Sequence, residues 1–455
     1  MQKKRSRKWL MIILGLYCGL LMMPFQVTAR NSQGDDTPIY ALDTLYARAL
    51  KEAERIQLAE EELFLARLNN RKARSVLIPR FSAFGSYRHY DEVQQQDDVI
   101  LQPEWNSAYG LRLDQSFTLN GREITAYKIS KDLIGKEALD LAAVREELLI
   151  QTAGAYYDVL NAEKRLEIAN ANVTRLNTQR DSVVVRLELE TVTRPDLLRV
   201  EAERSQALTG QIQAQNAILL AKARLAAICS LEGDFRLKAA ELESEITPEP
   251  VLTEIIADAM SRRADIQALS LEKTIADKTV KYTRGELWPR LAVEGVWANN
   301  DADPSSSAPV QESLYGGVSL NFTLFDGGLR KANIMESEAR SRQAQLALNT
   351  ARKQVTVDAN QAYLAYMASK STLTAFEDEL RFAKENFDAI NTQFEYGLAN
   401  SVDVIDANTL LVTAEQQLVE AAFRNRLALL QIDRVRGRLL DETLERLDKV
   451  DEKHQ

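Results

Sequence analysis

The sequence predicts a mainly helical chain that carries four membrane-type β-strands and is built as a duplicated half. Three observations predict it: long proline-free spans with apolar residues spaced three and four apart, two pairs of alternating runs, and a self-match at a shift of about 210 residues.

Taken in order, the chain opens on a basic cluster, Lys3 to Lys8, then an apolar run from Trp9 to Met23, Pro24 and the small-residue site Val27-Thr28-Ala29. That layout predicts a cleaved secretory signal over 1–29. The rival, a retained anchor, needs about 20 apolar residues to cross the hydrocarbon core, and this run is shorter. The bulky Tyr17 directly before Cys18 argues against a lipoprotein site. The mature chain then keeps one thiol, Cys229, and forms no internal disulfide.

Removing that segment takes five basic side chains and no acid, so the formal charge moves from −9 to −14. Such a balance excludes ordinary nucleic-acid binding. With His89 and His454 as the only imidazoles, His/Cys metal sites and Ser-His-Asp or Cys-His chemistry have almost nothing to work with. The expectation is a protein that is not an enzyme and takes no cofactor and no metal.

No proline occurs between Pro103 and Pro195, between Pro195 and Pro248, or after Pro309. Proline ends helices, so these gaps permit very long ones. From Leu348, the positions Ala351, Val355, Ala359, Ala362 and Tyr366 advance by three or four, and Leu373, Phe376, Leu380, Ala383, Phe387, Ile390 and Phe394 continue the seam. The stretch between Gly328 and Gly397 holds 68 residues, about 100 Å as one helix at ~1.5 Å per residue.

Two segments break the helical pattern, each a pair of runs that reads as a hairpin, over 81–119 and 291–324. In the first, Tyr109, Leu111, Leu113, Phe117 and Leu119 oppose Arg112, Asp114, Ser116 and Thr118; in the second, Val318, Leu320, Phe322 and Leu324 oppose Gly317, Ser319, Asn321 and Thr323. Phe81, Ala83, Tyr87 and Leu291, Val293, Trp297 give the apolar sides of the preceding runs. Each run has roughly the 9 to 11 residues a tilted membrane strand requires. A half-buried soluble sheet reads the same way. The breaker-rich stretches Asp91 to Trp105 and Asn299 to Glu312 are expected to be external loops.

A shift of 210 superposes Pro79-Arg80 on Pro289-Arg290 and Gly85 on Gly295, and a shift of 207 matches Ala155-Tyr156 with Ala362-Tyr363 and Asp196 with Asp403. Each half therefore reads helix, hairpin, long helix, turn, return helix. The expected organisation is a first repeat over 30–229, a linker over 230–250, a second repeat over 251–437 and a charged tail over 438–455. Four strands cannot close a wall, and single-chain barrels start at about 8. Since an open sheet edge is excluded from lipid, copies must associate, with two giving eight strands and three giving twelve. Tyr87, Tyr90, Trp105, Tyr109, Trp288, Trp297 and Tyr315 lie in or near the runs, as an interfacial aromatic belt would.

The duplication, "LWPRL" before a strand, "NFTLFDGG" (Asn321 to Gly328), "RRADI" (Arg262 to Ile266) and "YGLANSVDVIDA" (Tyr396 to Ala407) together resemble the TolC family of outer-membrane efflux proteins. The resemblance covers nearly the whole mature chain. It implies a homotrimer in the outer membrane of a Gram-negative type envelope, with a twelve-stranded barrel continued by a long antiparallel coiled-coil α-barrel in the periplasm. It also implies a cofactor-free exit duct of a tripartite efflux pump or type I secretion system, gated at its periplasmic tip, with outer-membrane lipid, a periplasmic adaptor and an inner-membrane transporter as partners.

The same resemblance makes Asp403 and Asp406 the pore constriction, and places Gly397, Leu398, Thr191, Val192 and Pro195 at the tip where the adaptor docks. Spaced i, i+3, the two acids share a helix face and in a trimer form carboxylate rings that favour cations. The bland reading is that Asp403 favours the positive end of a helix dipole and Asp406 is solvated. In the first half the turn keeps Asp196 but has Glu190 opposite Gly397 and Arg199 opposite Asp406, which makes Arg199 a candidate for a gate ion pair. The alternative function, a periplasmic coiled-coil adaptor, explains the signal and the rods but not two amphipathic hairpins.

Overall fold

The computed structural model describes residues 37–96, 99–238, 249–305 and 310–454. The expected signal lies outside them, as do residues 239–248 of the expected linker. Among the described residues, 37–39 and 234–236 form a small unit of their own, in which the Arg236 N–H donates to the Pro38 carbonyl over 2.9 Å. Everything below concerns the second unit, Tyr40–Gly233 with Leu237–Gln455.

Its first half runs α1 (Leu42–Glu52), α2 (Glu54–Ser75), β1 (Arg80–His89), β2 (Trp105–Thr118), α3 (Arg122–Glu188) and α4 (Arg194–Cys229). The second runs α5 (Leu252–Arg262), α6 (Ala264–Arg284), β3 (Arg290–Asp303), β4 (Glu312–Asn321), α7 (Leu329–Glu395) and α8 (Ser401–Arg436), followed by α9 (Leu439–His454). The long helices α3 and α7 each have 67 residues and the return helices α4 and α8 each have 36. The rods expected from proline spacing are therefore present, about 100 Å long at ~1.5 Å per residue.

Both leading helices break at a single extended residue, Ala53 (φ −66°, ψ 128°) and Arg263 (φ −55°, ψ 124°). Both long helices start behind a glycine in the left-handed conformation, Gly121 (φ 69°) and Gly328 (φ 93°). The "NFTLFDGG" signature has a local cause: the Asp326 carboxylate accepts from the Gly328 and Arg330 N–H groups, both at 3.1 Å, and from Arg330 Nε at 2.6 Å. In the first half the acid sits on the helix instead, and Glu123 reaches back to the Thr118 N–H (3.0 Å) and hydroxyl (2.9 Å).

Packing follows the seam. Leu348, Val355, Ala359 and Ala362 of α7 are buried against Ile255 and Ala259 of α5, Ile266 of α6, and Ile432 and Val435 of α8. A second cluster joins Tyr46 of α1, Leu149 and Ala153 of α3, and Leu439 and Leu440 of α9, so the charged tail is a docked helix. The rods are thus held by small clusters repeated along their length, each buried leucine or valine contributing about 1.5–3 kcal/mol.

The sheet has order β1-β2-β3-β4, antiparallel throughout. Register sets Ala83 opposite Leu111, Leu111 opposite Trp297 and Trp297 opposite Leu314. Directly opposed residues project to one side, so the alternating apolar residues from Phe81 to Leu320 share a single face, whereas Tyr315, expected in the aromatic belt, pairs with Val296 and lies on the other face, one residue out of step with Leu314. The apolar face is bare: Leu314 is 81% exposed and Val318 72%. Tyr87 stacks on Trp105 and Tyr109 meets Trp297 edge-on within it. Arg112, Asp114, Glu294 and Ser319 lie on the other side.

Two strand ends differ from expectation. β4 stops at Asn321, opposite Arg290, rather than reaching Leu324. The next residue of the facing chain is Pro289, which has no N–H and whose carbonyl already accepts from Leu119 (3.1 Å), so Phe322 to Leu324 alternate with no partner strand. β3 runs on past Ala298 to Asp303, because β2 offers Trp105 to Tyr109 as partners and backbone pairing overrides the polar composition of that stretch. The other expected loop likewise contains a short hairpin, Gln94–Gln96 with Val99–Gln102.

Candidate functional site

The two turns that join each long helix to its return helix lie side by side and close in the same way. At the end of α7 the Gly397 N–H donates to Phe394 O (3.0 Å) and the Leu398 N–H to Gln393 O (2.8 Å). At the end of α3 the Glu190 N–H donates to Leu187 O (3.0 Å) and the Thr191 N–H to Arg186 O (2.9 Å). This six-to-one and five-to-two pairing needs a left-handed residue after the helix. Gly397 adopts it at φ 75°, and Glu190 adopts it at φ 58° without being glycine.

The return helices start alike too. The Asp403 carboxylate accepts from the Asn400 N–H (3.0 Å), while the Asn400 side chain accepts from the Val402 (2.8 Å) and Asp403 (3.0 Å) N–H groups. The Asp196 carboxylate accepts from the Thr193 hydroxyl (2.6 Å) and N–H (2.9 Å). These bonds favour the ionised form and hold Asp196 below the usual carboxylate range, the hydroxyl contributing most. Asp403 thus serves a helix start, and its carboxylate remains exposed.

Between the turns lies a small apolar core of Val183, Val200, Phe394, Val404 and Ile405. Arg186 of α3 lies 4.1 Å over the Phe394 ring and donates to Glu395 O (3.0 Å) at the end of α7. Arg199 Nη2 stands 4.0 Å from Asp406 Oδ1, with the two side chains 50% and 71% exposed. Such a pair contributes about 0–1 kcal/mol. Of the expected docking residues, Leu398 is 80% exposed, Gly397, Thr191 and Pro195 are exposed, and Val192 is half-buried against the core.

A stronger tie lies one level up the rods. Arg175 of α3 donates to Asn408 Oδ1 (2.8 Å) and, through both terminal nitrogens, to Glu415 (3.4 and 3.1 Å), and Asn408 donates to Asn172 (2.7 Å). The Arg175 and Glu415 side chains are only 22% and 24% exposed, and Asn408 is buried. Nothing in the local sequence pairs residues 233 to 240 positions apart; the only signal is a polar residue, Asn408, on an otherwise apolar seam. Beside this tie α3, α4 and α8 leave an open groove of about 900 Å³ lined by Asn161, Glu203, Gln213 and Thr409 among others.

A second polar node explains "RRADI". At the break between α5 and α6, Arg263 forks onto Asp265 (3.1 and 2.8 Å) and reaches Asp358 of α7 (2.9 Å). Asp258 of α5 takes Arg436 and Arg438, both at 2.8 Å, on either side of Gly437. Burial alone would raise the Asp258 pKa, but these two arginines outweigh it and hold the group below the usual range. A Cβ on Gly437 would fall 2.9 Å from Arg263 N. Among the described residues no group of three or more His, Cys, Asp or Glu side chains is placed to hold a metal ion, and no helix is long and apolar enough to cross a membrane.

Residues 255–438 match the family described as outer membrane efflux protein. The chain is 22% identical over 388 residues to the outer membrane protein TolC of Escherichia coli strain K12, covering 82% of this chain and 77% of TolC. It is 22% identical over 400 residues to the alkaline protease secretion protein AprF of Pseudomonas aeruginosa, covering 83% and 80% of the two chains. Its fold matches the CmeC outer membrane channel of Campylobacter jejuni with a TM-score of 0.76 at 14% identity, over 88% of this chain and 86% of that one.

Proposed function

The chain is related to the TolC family of outer membrane efflux proteins, and from that premise we propose that three copies form an exit duct through the outer membrane, gated at the turns of their helical hairpins. One observation carries the reading. A four-stranded sheet with one continuous bare apolar face and two unpaired edges, β1 and β4, is continuous with two helical hairpins about 100 Å long. In lipid an unpaired edge costs several kcal/mol per backbone group. Joining β4 of one copy to β1 of the next leaves none, and three copies give twelve strands. The apolar face then meets lipid, with Tyr87, Trp105, Tyr109 and Trp297 at headgroup level, and Arg112, Asp114 and Glu294 face the lumen.

The same reading treats the two halves as one duplicated unit. Equal helix lengths, matched breaks at Ala53 and Arg263, and matched left-handed residues at Glu190 and Gly397 support it, with repeats over 30–229 and 251–437. At the tip, Asp403 and Asp406 ring the constriction, Leu398 with Gly397, Thr191, Val192 and Pro195 receives a periplasmic adaptor, and an inner-membrane transporter supplies the cargo. The adaptor reading of the chain itself leaves the bare sheet face without a role.

The test is mass per particle of the outer-membrane fraction in mild detergent, then planar-bilayer conductance with and without Asp403→Ala plus Asp406→Ala. Three chains per particle, low conductance and a cation preference lost on substitution are expected. A one-chain or non-conducting particle overturns the duct, and an unchanged preference removes the two acids from its mouth.

A further inference from the structure

Close to the tip a cavity of about 240 Å³ lies between α3, α7 and α8. Much of its wall is apolar: Leu176 of α3 and Val404 and Ile405 of α8 are buried there, and Phe387 of α7 is half-buried. Arg175 lies 6.0 Å over the Phe387 ring, so the cavity shares a wall with the tie of Arg175, Asn408 and Glu415. An apolar cavity of about 150 Å³ takes benzene, and this larger one admits a fused bicyclic ring.

The polar side chains on that wall are engaged elsewhere, with one exception. The Thr174 and Thr178 hydroxyls donate to the Asn170 and Thr174 carbonyls (3.0 and 3.2 Å), and Asn391 donates to Glu395 (3.3 Å). Arg175 and Asn408 are held by the tie. The exception is Gln179, a polar residue on the buried line of Val173, Leu176 and Val183. Its side chain lines the cavity and is only 7% exposed, and its Nε2 has no hydrogen-bond partner among the described residues. A buried donor left unpaired is costly. Water in such a place needs at least two polar partners, and the wall offers one unused donor. A mostly apolar wall with one fixed polar group is the make-up of a small-molecule site.

We propose that this cavity binds a neutral aromatic molecule carrying one hydrogen-bond acceptor, with its ring among Leu176, Phe387 and Ile405 and its acceptor on Gln179 Nε2. No charge is called for, because Arg175 is already paired with Glu415. A molecule seated there touches α3 of the first half and α7 and α8 of the second. It therefore binds the arrangement in which α3 and α8 are joined more tightly than one in which they part, and shifts the population towards the joined one. Under the gated-duct reading above, on which this last consequence alone rests, it holds the tip shut.

Two probes test it by calorimetric titration into the detergent-solubilised full chain: 1-indanone, a fused ring with one carbonyl, and indane, the same ring without it. 1-Indanone is expected to bind about 2- to 10-fold more tightly than indane, the range a single net hydrogen bond gives. Gln179→Leu should remove that preference. Thr178→Phe, which fills the cavity from an exposed rim position, should remove the binding of both. Uptake by detergent is the same for every variant, so the difference between wild type and Thr178→Phe reads the site. Equal affinity for the two probes in wild type, or binding that Thr178→Phe leaves intact, overturns the site whether or not the particle conducts. In planar bilayers, 1-indanone at about ten times its dissociation constant should raise the closed-to-open ratio about tenfold in wild type and leave it unchanged in Thr178→Phe. A conducting particle that binds 1-indanone with an unchanged ratio overturns the clasp between α3 and α8. A particle that binds it but does not conduct overturns the duct reading alone.

Discussion

Glu190 and Gly397 stand at the same place in the two halves and adopt the same left-handed backbone, at φ 58° and 75°. An L side chain there costs roughly 1–2 kcal/mol, so the first turn holds its shape against its own residue, through the Thr191 to Arg186 bond and the Thr193 to Asp196 cap.

Replacing Glu190 by Gly should therefore slow amide exchange over Arg186 to Asp196 by a factor equivalent to about 1 kcal/mol. Gly397→Ala should speed it in the second turn by a similar factor. Equal exchange in wild type and Glu190→Gly would mean that the turn is not strained.

The ion pairs at the tip should separate by depth. Arg175→Ala strands Asn408 and Glu415 in a half-buried setting and should cost about 1–3 kcal/mol, together with a higher resting conductance. Arg199→Ala should cost under about 1 kcal/mol, because both partners are at least half exposed. Double-mutant cycles on Arg175/Glu415 and Arg199/Asp406, read by thermal unfolding in detergent, decide it; a larger coupling for the outer pair would reverse the order.

Two half-buried acids should make the middle of the rods less stable as pH rises. Burial, opposed by Arg434 and reinforced by Asp265 and Asp441, raises the Glu146 pKa to about 7. Burial and Glu442, opposed by Arg436, Arg438 and Arg446, raise Asp433 to about 6. Unfolded, these groups titrate near ~4.3 and ~3.9. Between those values and the folded ones the native state binds more protons, so its stability falls as pH rises from about 4 to 7. Asp258 has the opposite sign, stabilising above its unfolded value and ceasing to do so as pH falls through its lowered folded one. Glu146→Gln with Asp433→Asn should melt higher than wild type at pH 8 and alike near pH 4; parallel curves at both would exclude the acids as the cause.

Val318 and Ser319 are neighbours on opposite faces of β4. Val318→Lys should deplete the assembled outer-membrane fraction, since a lysine on a lipid face near mid-membrane costs about 2–4 kcal/mol. Ser319→Lys should assemble normally. Equal loss in both would mean that the apolar face does not meet lipid.

Much of this was legible from local pattern. The seam from Leu348 to Phe394 located α7, because helix packing is written at a spacing of three and four, and alternation assigned the paired apolar residues to one face, because strand side chains have period two, although Tyr315, counted with the aromatic belt, falls on the other face. What escaped was non-local. Whether Phe322 to Leu324 pair depends on Pro289, some thirty residues away. The partners of Arg175 lie in the other half, and repeat alignment pointed instead to the exposed Arg199. The role of Arg263 required knowing that the helix breaks beneath it and that Asp358 passes beside it.

The equality of α3 and α7 at 67 residues also bears on how such a chain can change over generations. One residue inserted into a single rod turns everything beyond it by about 100° and slides it ~1.5 Å. Arg186 would leave Phe394, and the capped turns would no longer stand level. A drifting lineage is therefore expected to alter the two rods together, and in steps near seven residues that return each face to its seam, so that inherited differences in reach across the envelope are quantised rather than gradual.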